Sequence, residues 1–196
     1  MRTVPVIAAA TMLAVAGCSS GSVVNTGEWE FIAPVETAAP PQLPPVDNTH
    51  MVNASAYAAH PNYQTAYYFR TPSGRWQCAI IPRVWAGCQA AGAALGIAGA
   101  PDTVPNAAGE PMAPNALVVE SEGDAHFVAV DQPEFSLATG PANVLPFNRT
   151  LIVAGFRCNI QEEAGIGCMS EHSGKGFTFS ADGFQPQYTE VPVDAP

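Results

Sequence analysis

The sequence predicts an all-β domain, a small disulfide-stapled sandwich or barrel built from two related β-hairpin units and preceded by a disordered N-terminal tether. Three observations carry that expectation. Eight short runs rich in Val, Ile, Phe, Tyr and Trp are bounded by Gly, Pro or Asp, the pattern of strands rather than helices. Nineteen prolines and 17 glycines among 196 residues make long helices scarce and turns frequent. Four of the five cysteines form two C-x9-C pairs, 80 residues apart.

The chain opens with Met1-Arg2 and an apolar stretch over residues 4–16. A membrane-spanning helix needs about 20 residues, so residues 1–17 read as a signal peptide. Val15-Ala16-Gly17-Cys18 resembles the bacterial lipobox, in which the cysteine is diacylated and becomes the new N-terminus. That resemblance implies a lipoprotein acylated at Cys18 and held on the extracytoplasmic face of the cell membrane. Two acyl chains give stable anchoring where one is marginal.

Residues 18–65 are polar and interrupted by Pro34, Pro40, Pro41, Pro44, Pro45 and Pro61. Such a segment buries too little apolar surface to offset its ordering entropy, which predicts a flexible tether. The β-domain is expected over residues 66–190, with strands at 67–70, 76–81, 84–89, 116–121, 126–130, 151–160, 166–170 and 177–180. Glu122-Gly123-Asp124 reads as a hairpin turn. Residues 90–114 are dominated by Ala, Gly and Pro and read as a surface excursion, with room for one short helix around residues 91–98. Residues 191–196 close the chain as a tail.

The cysteine surroundings repeat. Trp76-Gln-Cys78-Ala-Ile80 leads to Gly87-Cys88, and Phe156-Arg-Cys158-Asn-Ile160 leads to Gly167-Cys168. Nine intervening residues suit two short strands and a turn, which bring opposed positions within disulfide range. Cys78 with Cys88 and Cys158 with Cys168 are therefore the expected pairs; cross-pairing between the copies is the alternative. Zinc sites favour closer cysteine spacing and redox pairs favour C-x-x-C, so structural disulfides in an oxidising compartment are the expected role.

Little in the sequence points to chemistry. The charge of −10 offers no basic stripe for nucleic acid. No nucleophile elbow, phosphate loop, dinucleotide fingerprint or metal-ligand cluster is present, so no catalytic residue, metal or cofactor is expected. Of the four histidines, His172 beside Ser173-Gly174 is the best candidate base, although a solvated loop histidine needs no special role. Asp131, Glu134, Glu162 and Glu163 fall in expected turns, where acids are common. Trp76 and Trp85 flank the first cysteine hairpin; they could stack on sugar rings or anchor a protein, or pack in the core. Lys175, the only lysine, sits between glycines where it could meet an acidic partner.

Two stretches resemble a family of actinobacterial secreted proteins and lipoproteins of unknown function. The first is Phe69-Arg-Thr-Pro-Ser-Gly74 followed by Trp76-x-Cys78-x-Ile80. The second runs from Gly155-Phe-x-Cys158 through Gly165-Ile-Gly-Cys168 to Ser173-Gly-Lys-Gly-Phe177-x-x-Ser180. Arg75 stands where that family usually has Asn, and Lys175 where it often has His. The resemblance implies a disulfide-stapled envelope domain and transfers no site residue. The expected function is a membrane-anchored, non-enzymatic binding or envelope-associated module with an envelope or external protein or glycan partner. The alternatives are an envelope hydrolase with a non-obvious site and an inhibitor of a basic enzyme such as a lysozyme, towards which the acidic charge would steer.

Overall fold

Two antiparallel meanders, each centred on one cysteine hairpin, pack face to face in the computed structural model of the chain, which describes residues 48–92, 95–131 and 134–196. The strands in chain order are β1 (Ala58–Ala59), β2 (Ala66–Arg70), β3 (Trp76–Ile81), β4 (Trp85–Ala90), β5 (Val104–Pro105), β6 (Pro111–Met112) and β7 (Ala116–Glu120). They continue as β8 (His126–Val128), β9 (Asn143–Val144), β10 (Arg149–Val153), β11 (Phe156–Gln161), β12 (Gly165–Ser170), β13 (Gly176–Ser180) and β14 (Gly183–Gln185). The first sheet runs β1-β2-β3-β4-β7-β8, with β9 parallel to β2; the second runs β10-β11-β12-β13-β14. The fold is the stapled all-β body the sequence predicts.

The cysteines explain the sandwich. In the β3–β4 hairpin Cys78 stands opposite Cys88, and in the β11–β12 hairpin Cys158 stands opposite Cys168. Their Cα atoms lie 4.0 and 4.1 Å apart, the close cross-strand spacing of antiparallel pairs. Both disulfides are wholly buried between the sheets. Because side chains alternate along a strand, residues of the same parity as a cysteine point inward with it. Trp76, Cys78 and Ile80 enter the shared core from one sheet, and Phe156, Cys158 and Ile160 from the other. Trp76 meets Phe179 across the interface edge to face, with ring centroids 4.7 Å apart.

The opposite parity faces outward, and there the halves differ. The first sheet presents Tyr68, Ala79, Ala116 and Val118, covered by Phe135. The second presents Arg157, Asn159, Gln161 and Thr178, all buried beneath the C-terminal segment. Asn159 Nδ2 donates to the Tyr188 hydroxyl at 2.8 Å and to the Thr189 carbonyl at 2.9 Å. Gln161 Nε2 also donates to the Thr189 carbonyl at 2.9 Å, and Thr178 Oγ1 donates to that of Gln187 at 2.8 Å. Most polar groups of this face are thereby satisfied without water.

Four expectations need correction. The folded body begins upstream of Ala66: residues 50–52 pair along β10, with Val52 N–H donating to Thr150 O and Thr150 N–H to His50 O. A 3₁₀ turn at Ala54–Tyr57 then buries Tyr57, whose hydroxyl donates to Val144 O at 3.2 Å, before β1 joins β2. Residues 48–65 are thus not tether; the earlier part of that assignment lies outside the described residues. Nor are residues 191–196 a free tail, since Val191 is buried and the Pro192 carbonyl accepts from His50 Nε2 at 3.0 Å. The expected strand at 151–160 is two strands, β10 and β11, joined by Ala154 and Gly155 with φ of 55° and 85°. Two consecutive positive φ values make a hairpin turn of the primed kind, which matches strand twist. Finally, residues 95–98 form no helix; Leu95 and Ile97 are buried in the core, and the excursion carries the small β5–β6 ribbon.

Candidate functional site

The structure separates the two tryptophans that sequence treats alike. Trp76 lies two residues before Cys78, shares its parity and is a core residue. Trp85 lies three residues before Cys88, so it leaves the sheet on the outer face, where it is half-buried. One part of its indole packs on Phe135, ring centroids 5.7 Å apart. Trp85 also lines a groove of about 560 Å³ at one end of the first sheet. That volume falls within the range of small-ligand sites, about 300–1,000 Å³.

Three stretches distant in sequence build this groove. Strands β2 to β4 supply the floor, with Ala66, Tyr68, Ile81 and Trp85, and the β3–β4 turn adds Val84. A second 3₁₀ turn, Pro61–Tyr63, and the residues after it supply one wall, with Asn62, Gln64 and Thr65. The other wall comes from the segment that carries Phe135, with Glu134, Ser136 and Leu137. Asn62 and Tyr63 both hold positive φ, 51° and 64°, a conformation that asparagine tolerates and that costs tyrosine about 1–2 kcal/mol. The Tyr63 side chain, one residue from the wall, is fully exposed. Burial, and secondarily the Glu134 charge, pushes the Tyr68 phenol above the ordinary tyrosine value, so its hydroxyl stays protonated. Among the described lining residues Glu134 is the one acid, and there is no lysine, arginine or histidine.

His172 and Lys175 fall elsewhere, on the β12–β13 turn. His172 Nε2 lies 3.7 Å from Glu122 Oε1 with both side chains exposed, and Lys175 Nζ lies 2.8 Å from Asp124 Oδ1. These pairs tie the β12–β13 turn to the β7–β8 turn of the other sheet, helped by Ser170 Oγ donating to Ser121 O at 2.7 Å. Lys175 and Asp124 border a cleft of about 400 Å³ whose far side is Tyr188. Of the four turn acids, Glu134 lines the Trp85 groove, while Glu163 shares a cleft of about 440 Å³ with Asp182. Asp131, Glu162 and Glu163 are exposed. Cys18 lies outside the described residues.

Sequence reasoning missed Arg157. Its guanidinium is almost wholly buried, with Nη1 donating to Glu190 Oε1 at 2.8 Å and Nη2 to Glu171 Oε1 at 3.2 Å. The first contact fastens the C-terminal segment to β11, and the second ties β11 to the β12–β13 turn. The signal was parity again, since Arg157 adjoins Cys158 and must face away from the core. Among the described residues no cluster of three His, Cys, Asp or Glu is placed to hold a metal. No protein-family model, curated protein or solved structure matches the chain.

Proposed function

We propose that the chain is a bacterial lipoprotein, anchored through Cys18 to the extracytoplasmic face of the cell membrane, whose β-domain is a non-enzymatic binding module. The observation that carries this reading is the Trp85 groove. It combines a half-exposed indole, an apolar floor and polar walls, the composition of recognition surfaces rather than of a reaction centre. Two buried disulfides suit an oxidising compartment, and the lipobox-like Val15-Ala16-Gly17-Cys18 suits the anchor. The resemblance to actinobacterial envelope proteins points the same way.

The test is binding of the oxidised Cys18→Ala chain to isolated cell envelopes, beside the same chain carrying Trp85→Ala. Saturable binding that weakens about tenfold on removal of the indole is the expected result, the effect of losing an aromatic anchor. Envelope binding that is indifferent to Trp85→Ala would refute the groove as the site. Acylation is checked separately, by fatty-acid labelling that Cys18→Ala should abolish.

A further inference from the structure

Resting on that reading of the groove, we infer that its ligand is an uncharged carbohydrate, seated with a sugar ring against Trp85. The first argument is charge. The described lining offers one carboxylate and no cation, Arg83 and His60 being neighbours of the lining residues Val84 and Thr65, so an anionic polymer, phosphate or nucleic acid would meet repulsion from Glu134 within the groove. The second is hydrogen bonding. Asn62 and Gln64 contribute amides that both donate and accept, Tyr68 contributes a hydroxyl, Thr65 one that already bonds His60 Nδ1 at 3.1 Å, and Glu134 accepts. Sugar hydroxyls are themselves donors and acceptors at once, and such mixed walls satisfy them in either role. A carboxylate accepting from two neighbouring hydroxyls makes the stronger, charge-assisted kind of bond.

The third argument is the platform. The face of an aromatic ring is electron-rich, and the axial C–H groups of a sugar ring are its apolar, weakly positive complement. Trp85 is held for this by Phe135 behind it, so little side-chain freedom is lost on binding.

The fourth argument is what the backbone withholds. A peptide entering beside a sheet usually adds a strand to a free edge. Here β1 pairs with β2 at Ala66 and Tyr67, and β9 pairs with it at Phe69 and Arg70, so the edge of β2 is taken and the sheet ends there in strands of two residues, too short to template a peptide strand. Strands β3 and β4 are interior. Recognition must therefore run through side chains, which suits a ligand carrying its own dense set of hydroxyls.

The experiment uses the purified, oxidised full chain in detergent against an array of neutral and anionic oligosaccharides, with tetralysine peptide as a cationic probe. Thermal melts accompany every variant. The expected result is saturable binding to a neutral oligosaccharide, weakened about tenfold or more by Trp85→Ala and retained by Trp85→Phe. Gln64→Ala, at an exposed position outside the core, should weaken it without moving the melt, so the inference survives a Trp85→Ala chain that fails to fold. Lys175→Ala should leave it unchanged. Binding of tetralysine alone, lost in Glu134→Gln, would overturn the carbohydrate and leave the binding reading standing. Binding only to anionic glycans would overturn it too. An array on which nothing binds would overturn the carbohydrate, and the binding reading falls with it only if envelope binding is also absent or indifferent to Trp85→Ala.

Discussion

Gly87 and Gly167 occupy equivalent places, each immediately before the second cysteine of its hairpin, yet a single methyl group should tell them apart. Both face outward, and both let a covering segment lie directly on the sheet. A Cβ at Gly87 would stand 2.7 Å from the Leu117 carbonyl oxygen, 2.8 Å from Val118 Cγ1 and 3.0 Å from Phe135 Cε1. The carbonyl belongs to β7, paired with β4 through Cys88 and Leu117, so it cannot retreat without distorting that ladder. Overpacking of this kind costs about 1–3 kcal/mol, and a fixed backbone atom puts Gly87→Ala near the upper end. At Gly167 the nearest atoms are Tyr188 Cδ2 at 3.2 Å, Thr178 Oγ1 at 3.3 Å and Asn159 Oδ1 at 3.4 Å. All three are side-chain atoms that can give by a few tenths of an ångström, so a cost of about 1 kcal/mol is expected. Alanine recovers about 0.5–1 kcal/mol of backbone entropy at either site. The net expectation is a loss of about 2 kcal/mol for Gly87→Ala and almost none for Gly167→Ala. For a unit of this size about 1 kcal/mol moves Tm by roughly 2–4 °C, so calorimetry of the oxidised protein should show a fall of about 4–8 °C against about 0–2 °C. Equal falls, or a larger one at Gly167, would refute the account of how the two faces are covered.

Other outcomes follow from the same contacts. Each disulfide closes a loop with a sequence separation of 10, worth about 3 kcal/mol by chain entropy, so Cys78→Ala/Cys88→Ala and Cys158→Ala/Cys168→Ala should lower Tm by similar amounts, roughly 6–12 °C. A double variant melting with the wild type would contradict a structural role for that bridge. The Tyr188 phenol is pushed far above its ordinary value, first by burial and then by the Glu190 carboxylate. A group that holds its proton more tightly folded than unfolded stabilises fully below its unfolded pKa of about 10 and less as pH rises past it. Tyr188→Phe should therefore flatten part of the fall in Tm between about pH 9 and pH 11; a variant curve parallel to the wild type would show that Tyr188 is not the linked group. The exposed pairs of His172 with Glu122 and Lys175 with Asp124 should each contribute less than about 1 kcal/mol, so His172→Ala and Lys175→Ala should shift Tm by no more than about 4 °C.

Sequence made the cysteine hairpins legible because aromatic and β-branched runs, a fixed spacing and a repeated Gly-Cys all point to the same pairing. The Ala154-Gly155 turn was not legible, since Ala at a positive φ lacks the Asn or Asp that announces such turns. Composition places residues 48–65 in the tether, because their polarity hides how they are used. His50 accepts from Arg149 at Nδ1 and donates to Pro192 O through Nε2, so polar contacts rather than apolar burial hold that junction. The groove escaped sequence reading because its walls come from residues 61–65 and 134–138, which only the fold brings beside Trp85. Part of it was nevertheless recoverable. Counting parity from Cys88 places Trp85 outside the core, just as counting from Cys78 places Trp76 within it.

That parity also suggests why a site should lie on one half and not on the other. The two hairpins present the same inner face to each other, and the shared core and disulfides leave little latitude there. Their outer faces have no such mutual constraint. On the second half, Gly167 admits Tyr188, and Asn159, Gln161 and Thr178 donate to the backbone carbonyls of the covering residues 187–189. Prying that cover away would expose Arg157 and break its ion pair with Glu190, so the face is committed to stability. On the first half, Gly87 admits Phe135, an apolar plug that seals the middle of the sheet and needs no hydrogen-bond partners. Phe135 packs on Trp85 but leaves its indole half-buried, and what remains open is that ring between polar walls. Recognition can vary there without disturbing either disulfide, and the proposed binding function rests on that incompletely covered face.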